Sequence, residues 1–406
     1  MSRIFPFAAL RPGPTAAAGV ASVPYDVVST EEARALAAGN PLSFLHVSRP
    51  EIDLPDGTDP HGAVAYERAA RNFAALKQAA PMVVDDPPGL YVYRLQMGAH
   101  GQTGVAACFS IDEYDQNLIK KHEKTRPDKE DDRTRHMLAI GAQTGPVFLT
   151  YAVSSAVDAI VSRVTTRAAL FDITAPDGVR HEVWRVTGAD EPALVAAFAA
   201  VPRLYIADGH HRAASAARAR RARASCGPGE HDRVLAVAFP DNQVHVLPYN
   251  RIVRDLHGHS ADAFVTALKQ RLTVRSGGPA TPALKGEVAM FVDGAWRTLV
   301  APDRRAMAAR DPAAGLDVSW LQDEVLAPVL GIHDVRTDTR IEFVGGIRGT
   351  ASLEAHVRSG RFAVAFSLFP VSVGDLMRIA DAGGIMPPKS TWFEPKLRDG
   401  LLSHLI

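Results

Sequence analysis

Five consecutive residues, Asp208-Gly209-His210-His211-Arg212, carry side chains that can handle a phosphate. They follow the apolar run Leu204-Tyr205-Ile206-Ala207 and precede an alanine- and arginine-rich stretch. That order predicts a strand, a tight turn at Gly209 and a helix from about His210. A helix N-terminus presents unpaired N–H groups and the positive end of the helix dipole, so an anion is favoured there. Gly209 lets the backbone approach a phosphate closely. Arg212 can supply a two-pronged guanidinium, and His210 and His211 can donate to phosphate oxygens or turn towards a metal. Asp208, at the strand's end, can hold Mg2+ or accept a proton from a substrate hydroxyl. The competing reading makes Asp208 a helix cap and the histidines ordinary helix residues.

A second polar cluster spans 120–136, with seven Lys/Arg, five Asp/Glu and two His. From Asp128 onward it reads as a solvated helix face, with Glu130 and Asp131 close to Arg133 and Arg135. Pro127 interrupts any helix before it, so His122, Glu123, Lys124, Thr125 and Arg126 are expected in a turn between a strand and a helix. Glu123, flanked by cations, is a candidate general base towards an alcohol, with a loop salt bridge as the alternative. Arg126 and Lys129 are candidate phosphate contacts. A third cluster, residues 383–400, contains Lys389-Ser390-Thr391. It is not a P-loop, because Pro388 stands where a glycine is required and removes an N–H donor. Lys389, Ser390, Thr391 and Lys396 can still reach a phosphate from a coil; the alternative is a terminal segment docked by Trp392 and Phe393. Asp26, in a Pro-Tyr-Asp turn before a helix capped by Ser29 or Thr30 with Glu32, reads as a turn-forming acid.

Alternating strands and helices must position these clusters. Helical spacing covers about 61–79, 155–166, 191–200, the stretch after Arg212, 260–271 and 373–384. Strand patterns occur at 90–97, 104–111 (joined by a glycine-containing hairpin loop), 146–153, 169–174, 180–186, 203–208, 234–239, 243–248, 286–301 and 362–370. This is a mixed α/β (α+β) pattern in two lobes, 1–254 with the HEKT and DGHHR motifs and 255–406 with the tail expected to close on the site. The alanine enrichment reads as compositional bias without chemistry.

The chain has 406 residues, 47% hydrophobic and 22% charged, with zero formal net charge. Balanced charge gives no bulk attraction to nucleic acid or to an anionic membrane, so any anion site must be local. Two cysteines, far apart in sequence, argue against a disulfide framework and a structural zinc. No apolar stretch approaches the length of about 18 residues that would span a bilayer. The expectation is a cytoplasmic protein.

Five motifs in order, PYDV, NPLSFLHVSRPE, HEKTRPDKEDDR, YIADGHHR and MPPKSTWFEPKLRDGL, resemble a large family of uncharacterised conserved proteins, a domain of unknown function. One departure is visible: that family favours serine where this chain has Asp399. More narrowly, Asp208 to Arg212 is similar to the DGHHR element of ParB-like free serine kinases, related in fold to ParB and sulfiredoxin. That resemblance implies phosphate binding by Gly209, His210, His211 and Arg212, with a glutamate elsewhere as base; Glu123 is the inferred candidate.

Together these readings lead to a small-molecule kinase. ATP or ADP with Mg2+ would donate phosphate to a hydroxyl acceptor, free L-serine foremost. Two rivals use the same anion pocket. A ParB-like nucleotide-dependent binding protein would need a DNA-facing basic surface, for which the arginines at 218–223 are the one local argument. A phosphatase or nucleotide hydrolase would use water as acceptor.

Overall fold

The computed structural model describes residues 2–406. The described residues fold into two compact units, one formed by residues 2–121, 125–244 and 395–406, the other by 122–124 and 245–394. Composition places the change of lobe near 255; the contacts divide the chain at 244–245, and the last twelve residues return to the first unit.

The first unit is mixed α/β. Its main sheet contains β1 (Ile4–Phe5), β2 (Tyr91–Met97), β3 (His100–Ser110), β4 (Ile119–Lys120), β5 (Val147–Tyr151), β6 (Phe171–Thr174), β7 (Arg180–Arg185), β8 (Leu204–Asp208) and β9 (Arg233–Pro240). The order is β4-β8-β5-β9-β3-β2-β7-β6, with β1 also pairing β3. β8 runs parallel to β4 and antiparallel to β5, and β9 runs parallel to β5. The β2–β3 hairpin is tighter than its glycines suggest. Met97 pairs with His100, which leaves Gly98 and Ala99 as a two-residue turn with φ +57° at Gly98.

Around the sheet lie α1 (Thr30–Ala37), α2 (Ala63–Ala79), α3 (Pro127–Ile140), α4 (Ser155–Val164), α5 (Asp190–Ala199) and α6 (His210–Ala222). Ser29 and Glu32 close a reciprocal capping box on α1, as their spacing predicts. Pro127 opens α3 at its first position, where a missing N–H costs nothing. The alanines after Arg212 are not idle bias: Ala213, Ala214, Ala216, Ala217 and Ala219 are all buried, and their small side chains let α6 lie close against α3 and the sheet. A smaller sheet joins Ala9–Pro12, Met82–Val84, Ala142–Gln143 and Ser403–Leu405. That last strand is why the chain's end belongs to this unit.

The second unit holds a sheet of β10 (Tyr249–Val253), β11 (Thr273–Ser276), β12 (Glu287–Val292), β13 (Ala295–Val300), β14 (Ile341–Gly345) and β15 (Val364–Leu368), in the order β11-β13-β12-β15-β10-β14. Its core includes Phe264, Leu268, Met290, Leu299, Leu321 and Phe366, under α7 (Ala261–Arg271). α8 (Gly349–Arg358) packs on β15, and α9 (Val373–Asp381) starts in a Ser372–Asp375 capping box. Among the described residues no helix is long and apolar enough to cross a membrane.

Candidate functional site

The sheet delivers the DGHHR turn as its spacing predicts. β8 ends at Asp208, its register against β5 shifts between Ile206 and Asp208, and α6 begins at His210. Gly209 sits between them at φ +90°, ψ 30°, a left-handed conformation that L side chains avoid. No side-chain hydrogen bond caps α6.

Asp208 is engaged on both oxygens. Oδ1 accepts from the Gly209 amide at 2.9 Å; Oδ2 accepts from the Lys396 ammonium at 3.0 Å and from Arg212 Nη2 at 3.4 Å. Burial works to raise its pKa, but Lys396 and then Arg212 outweigh burial and hold the carboxyl well below the usual carboxylate range. A carboxylate held that low accepts a proton poorly at neutral pH. Two cations beside it also repel a third, so its surroundings do not suit Mg2+. Asp208 is better placed to orient Arg212 and Lys396.

Arg212 is buried, with its guanidinium folded back over the glycine. A methyl group on Gly209 would lie 2.8 Å from Nε. Nη1 donates to the Pro146 carbonyl at 2.6 Å, whereas Nε is buried without a hydrogen-bond partner. His210 is buried at 5% exposure; His211 is half-buried, and its Nε2 accepts the Arg126 amide proton at 3.0 Å. Of the two imidazoles, only His211 keeps substantial access to solvent. Gly209→Ala is expected to cost about 1–3 kcal/mol through strain and the clash with Arg212. An unchanged urea midpoint would show that the turn tolerates a side chain.

The remaining sequence candidates fall in two places. Arg126 is exposed and pairs with Asp128 at 2.8 Å, and Lys129 stands in the first turn of α3. Both belong to the first unit. Glu123 is half-buried in the 122–124 segment, which groups with the second unit, where the His122 carbonyl accepts the Met386 amide proton at 2.8 Å. Lys389, Ser390 and Thr391 also belong to the second unit. There the Lys389 ammonium lies 5.4 Å from the Tyr249 ring centre, and Ser390 Oγ donates to the Pro387 carbonyl at 2.6 Å.

Several polar residues beside the turn were not assigned from the sequence. A small cavity of about 40 Å³ is lined by Tyr25, Ser48, Arg133, Thr144, Arg212 and Asp399, among others. Arg133 stacks over the Tyr25 ring at 4.2 Å and donates from Nε to Asp132 at 2.7 Å. Asp132 also accepts from Tyr66 Oη at 2.9 Å and contacts His61 Nδ1 at 2.8 Å. Burial opposes its ionisation, yet Arg133 and these partners bring its pKa down to about 2. Ser48 Oγ is buried without a partner. Asp399 is 2% exposed; burial pushes its carboxyl up to about 7, against the pull of Arg212 and with Asp26 adding to the rise. Lys396 and Asp399 both come from the returning chain end, where Arg398 donates to His181 Nε2 at 3.1 Å and pairs with Asp177. The signals were present as PYD and KLRDG, two acid-bearing turns without a periodic pattern to mark them as neighbours.

The first unit is mixed α/β, with a left-handed glycine between a strand and a helix that no side chain caps. By sequence, residues 4–319 match DUF1015, a protein family of unknown function, and the chain belongs to that family. The tail motif at 383–400 lies beyond the matched span.

No curated protein matches the chain. Among solved structures it is similar to a free serine kinase in complex with AMP, at 16% identity and a TM-score of 0.35, over 73% of this chain and 92% of that one. It is also similar to a conserved hypothetical protein from Pyrococcus furiosus, at 17% identity and a TM-score of 0.35, over 74% and 95% of the two chains. A third likeness is to SbnI with a C-terminal truncation from Staphylococcus aureus, at 13% identity and a TM-score of 0.40, over 74% and 87%.

Proposed function

We propose that the Asp208–Arg212 turn binds the phosphates of ATP or ADP. On this reading the protein transfers a phosphoryl group to a small hydroxylated acceptor, free L-serine first among them, giving O-phospho-L-serine. The observation that carries the reading is Gly209 at φ +90° between a strand end and an uncapped helix, with the Arg212 guanidinium folded beside it. The N-terminal amides of a helix and a guanidinium at one bend favour phosphate oxygens. The similarity of DGHHR to the phosphate-binding element of free serine kinases points the same way.

Phosphoryl transfer demands positioning and neutralisation of charge more than covalent help from the protein. The α6 amides, Arg212 and Lys396 supply that neutralisation, with Asp208 holding the two cations in place; His211, whose Nε2 accepts the Arg126 amide proton, offers at most an Nδ1–H donor. Arg126 and Lys129 add positive charge at the start of α3. Mg2+ enters as part of the nucleotide complex, and Asp208 is not assigned to it. Glu123, three residues before Arg126 in the chain, takes the acceptor's hydroxyl proton as the oxygen–phosphorus bond forms and the bond to the leaving nucleotide breaks.

The test is direct. Purified protein with ATP or ADP, Mg2+ and L-serine is expected to form O-phospho-L-serine, read by phosphorus NMR. Glu123→Gln is expected to lower kcat by about 100-fold while leaving nucleotide affinity unchanged. Nucleotide turnover of equal rate without serine would mean a hydrolase. No transfer across a wide screen of donors and hydroxylated acceptors sinks the kinase reading.

A further inference from the structure

Apart from Arg212, which it shares with the turn, the cavity beside the turn has a polar complement that the phosphate-binding role does not use. Ser48 Oγ is buried and unpartnered on its wall, and Arg212 Nε is buried and unpartnered as well. Arg133 commits Nε to Asp132 and makes only a long Nη1 contact, 3.4 Å, to the Ser48 carbonyl. Buried donors without acceptors cost free energy unless something fills the space between them. A cavity of about 40 Å³ is too small for a nucleotide and suits a few waters or one small oxyanion.

We propose that this cavity is a subsite for a small oxyanion of the carboxylate class. Ser48, Arg133 and Arg212 hold it, and Asp399 gates it by giving up its own charge when the ligand enters. Identifying the ligand as the acceptor's carboxylate rests on the phosphotransfer reading; the subsite itself needs no nucleotide.

The charges around Asp399 explain the gate. Arg212 faces it from α6 and Arg133 from α3; Tyr25 and the exposed Asp26 face it from the 25–27 turn, and Arg398 lies next to it in the chain. Arg398 is matched by Asp177, Arg133 by Asp132, and Asp208 is shared by Arg212 and Lys396. Leaving aside the exposed Asp26, whose charge solvent screens, one cationic excess remains, and an ionised Asp399 cancels it. His136 also lines the cavity, but burial and Arg133 bring its pKa down to about 4, so it stays neutral. An incoming carboxylate and an ionised Asp399 would compete for the same guanidinium groups. With its carboxyl pushed up to about 7, Asp399 can take a proton and yield them.

Binding then consumes a proton above neutrality, and affinity falls by up to about tenfold per pH unit above about pH 7. The experiment is calorimetric titration of the full chain with acetate, L-serine and inorganic phosphate, without nucleotide, from about pH 6 to about pH 8.5. The expected result is carboxylate binding with that slope, and about one proton taken up at the alkaline end when buffers of different ionisation enthalpy are compared. Asp399→Asn should bind without the slope and without proton uptake, and Ser48→Ala should weaken binding several-fold in a protein of unchanged fold.

Absence of carboxylate binding at about pH 6, or the same slope in D399N, overturns the proposal. So does preference for phosphate over carboxylate, or displacement of acetate by AMP, since either would make the cavity part of the nucleotide site. Carboxylate binding with the proton signature but no phosphoserine in the transfer assay supports the subsite and sinks the transferase.

Discussion

Arg212→Met is expected to abolish nucleotide binding and to cost the first unit about 3 kcal/mol of stability. Arg212 is 7% exposed and its guanidinium holds the Pro146 carbonyl and Asp208, so its loss leaves buried acceptors unmatched. Asp208 keeps Lys396 at 3.0 Å, which places the cost near the low end for a broken buried pair. Arg212→Lys separates folding from recognition. A lysine preserves the charge near Asp208 and should retain most of the stability, but it replaces a planar fork with a point charge. AMP and ADP affinity should then fall by about tenfold or more. Urea midpoints and calorimetric titration read the two effects independently. If R212K folds and binds AMP as the wild type does, Arg212 is structural and the phosphate cradle must lie elsewhere.

How such a residue is legible before the fold is known depends on where its partners lie in the chain. The DGHHR turn could be read because strand, glycine and helix are consecutive, and each residue type states a local demand. The alternation of strands and helices was legible for the same reason, since periodicity of two or 3.6 is local. Pro127 marked the boundary between the polar turn and α3 from its missing N–H alone.

The cavity was not legible in that way. Asp208 and Lys396 are separated by 188 positions, and Tyr25, Ser48, Arg133 and Asp399 come from four separate segments. Pairings of that kind arise from tertiary packing and leave no spacing to detect. Asp26 read as a turn-forming acid and does form a turn, yet its charge also raises the Asp399 carboxyl. The alanine run misled in the opposite direction. Low complexity suggested bias, whereas burial of five of those alanines shows a helix trimmed to lie close to its neighbours.

Asp399→Ser, which removes the carboxyl, is expected to become progressively more stable relative to the wild type as pH rises from about 4 to about 7. The sign follows from proton counts. Unfolded, the Asp399 carboxyl ionises near pH 3.9, the ordinary aspartate value. Folded, burial moves it to about 7. Between those values the native state keeps a proton that the unfolded state has released, so stability falls as pH rises and levels off above the folded value. A difference of about three pH units corresponds to about 4 kcal/mol.

The wild-type curve alone would not display that slope. His136 and His181 are buried with pKa values brought down to about 4 and about 3, chiefly by burial, so each adds stability as pH rises towards its unfolded value. They oppose Asp399 over part of the same range. Because the variant retains both histidines, subtracting the two stability curves removes their contribution, and the smaller volume of serine adds only a constant offset. Urea unfolding of both proteins across that range therefore isolates one carboxyl. A flat difference would mean that Asp399 ionises as an ordinary aspartate in the folded protein. The guanidinium groups of Arg133 and Arg212 would then already be neutralised, and the cavity would have no charge to offer a ligand.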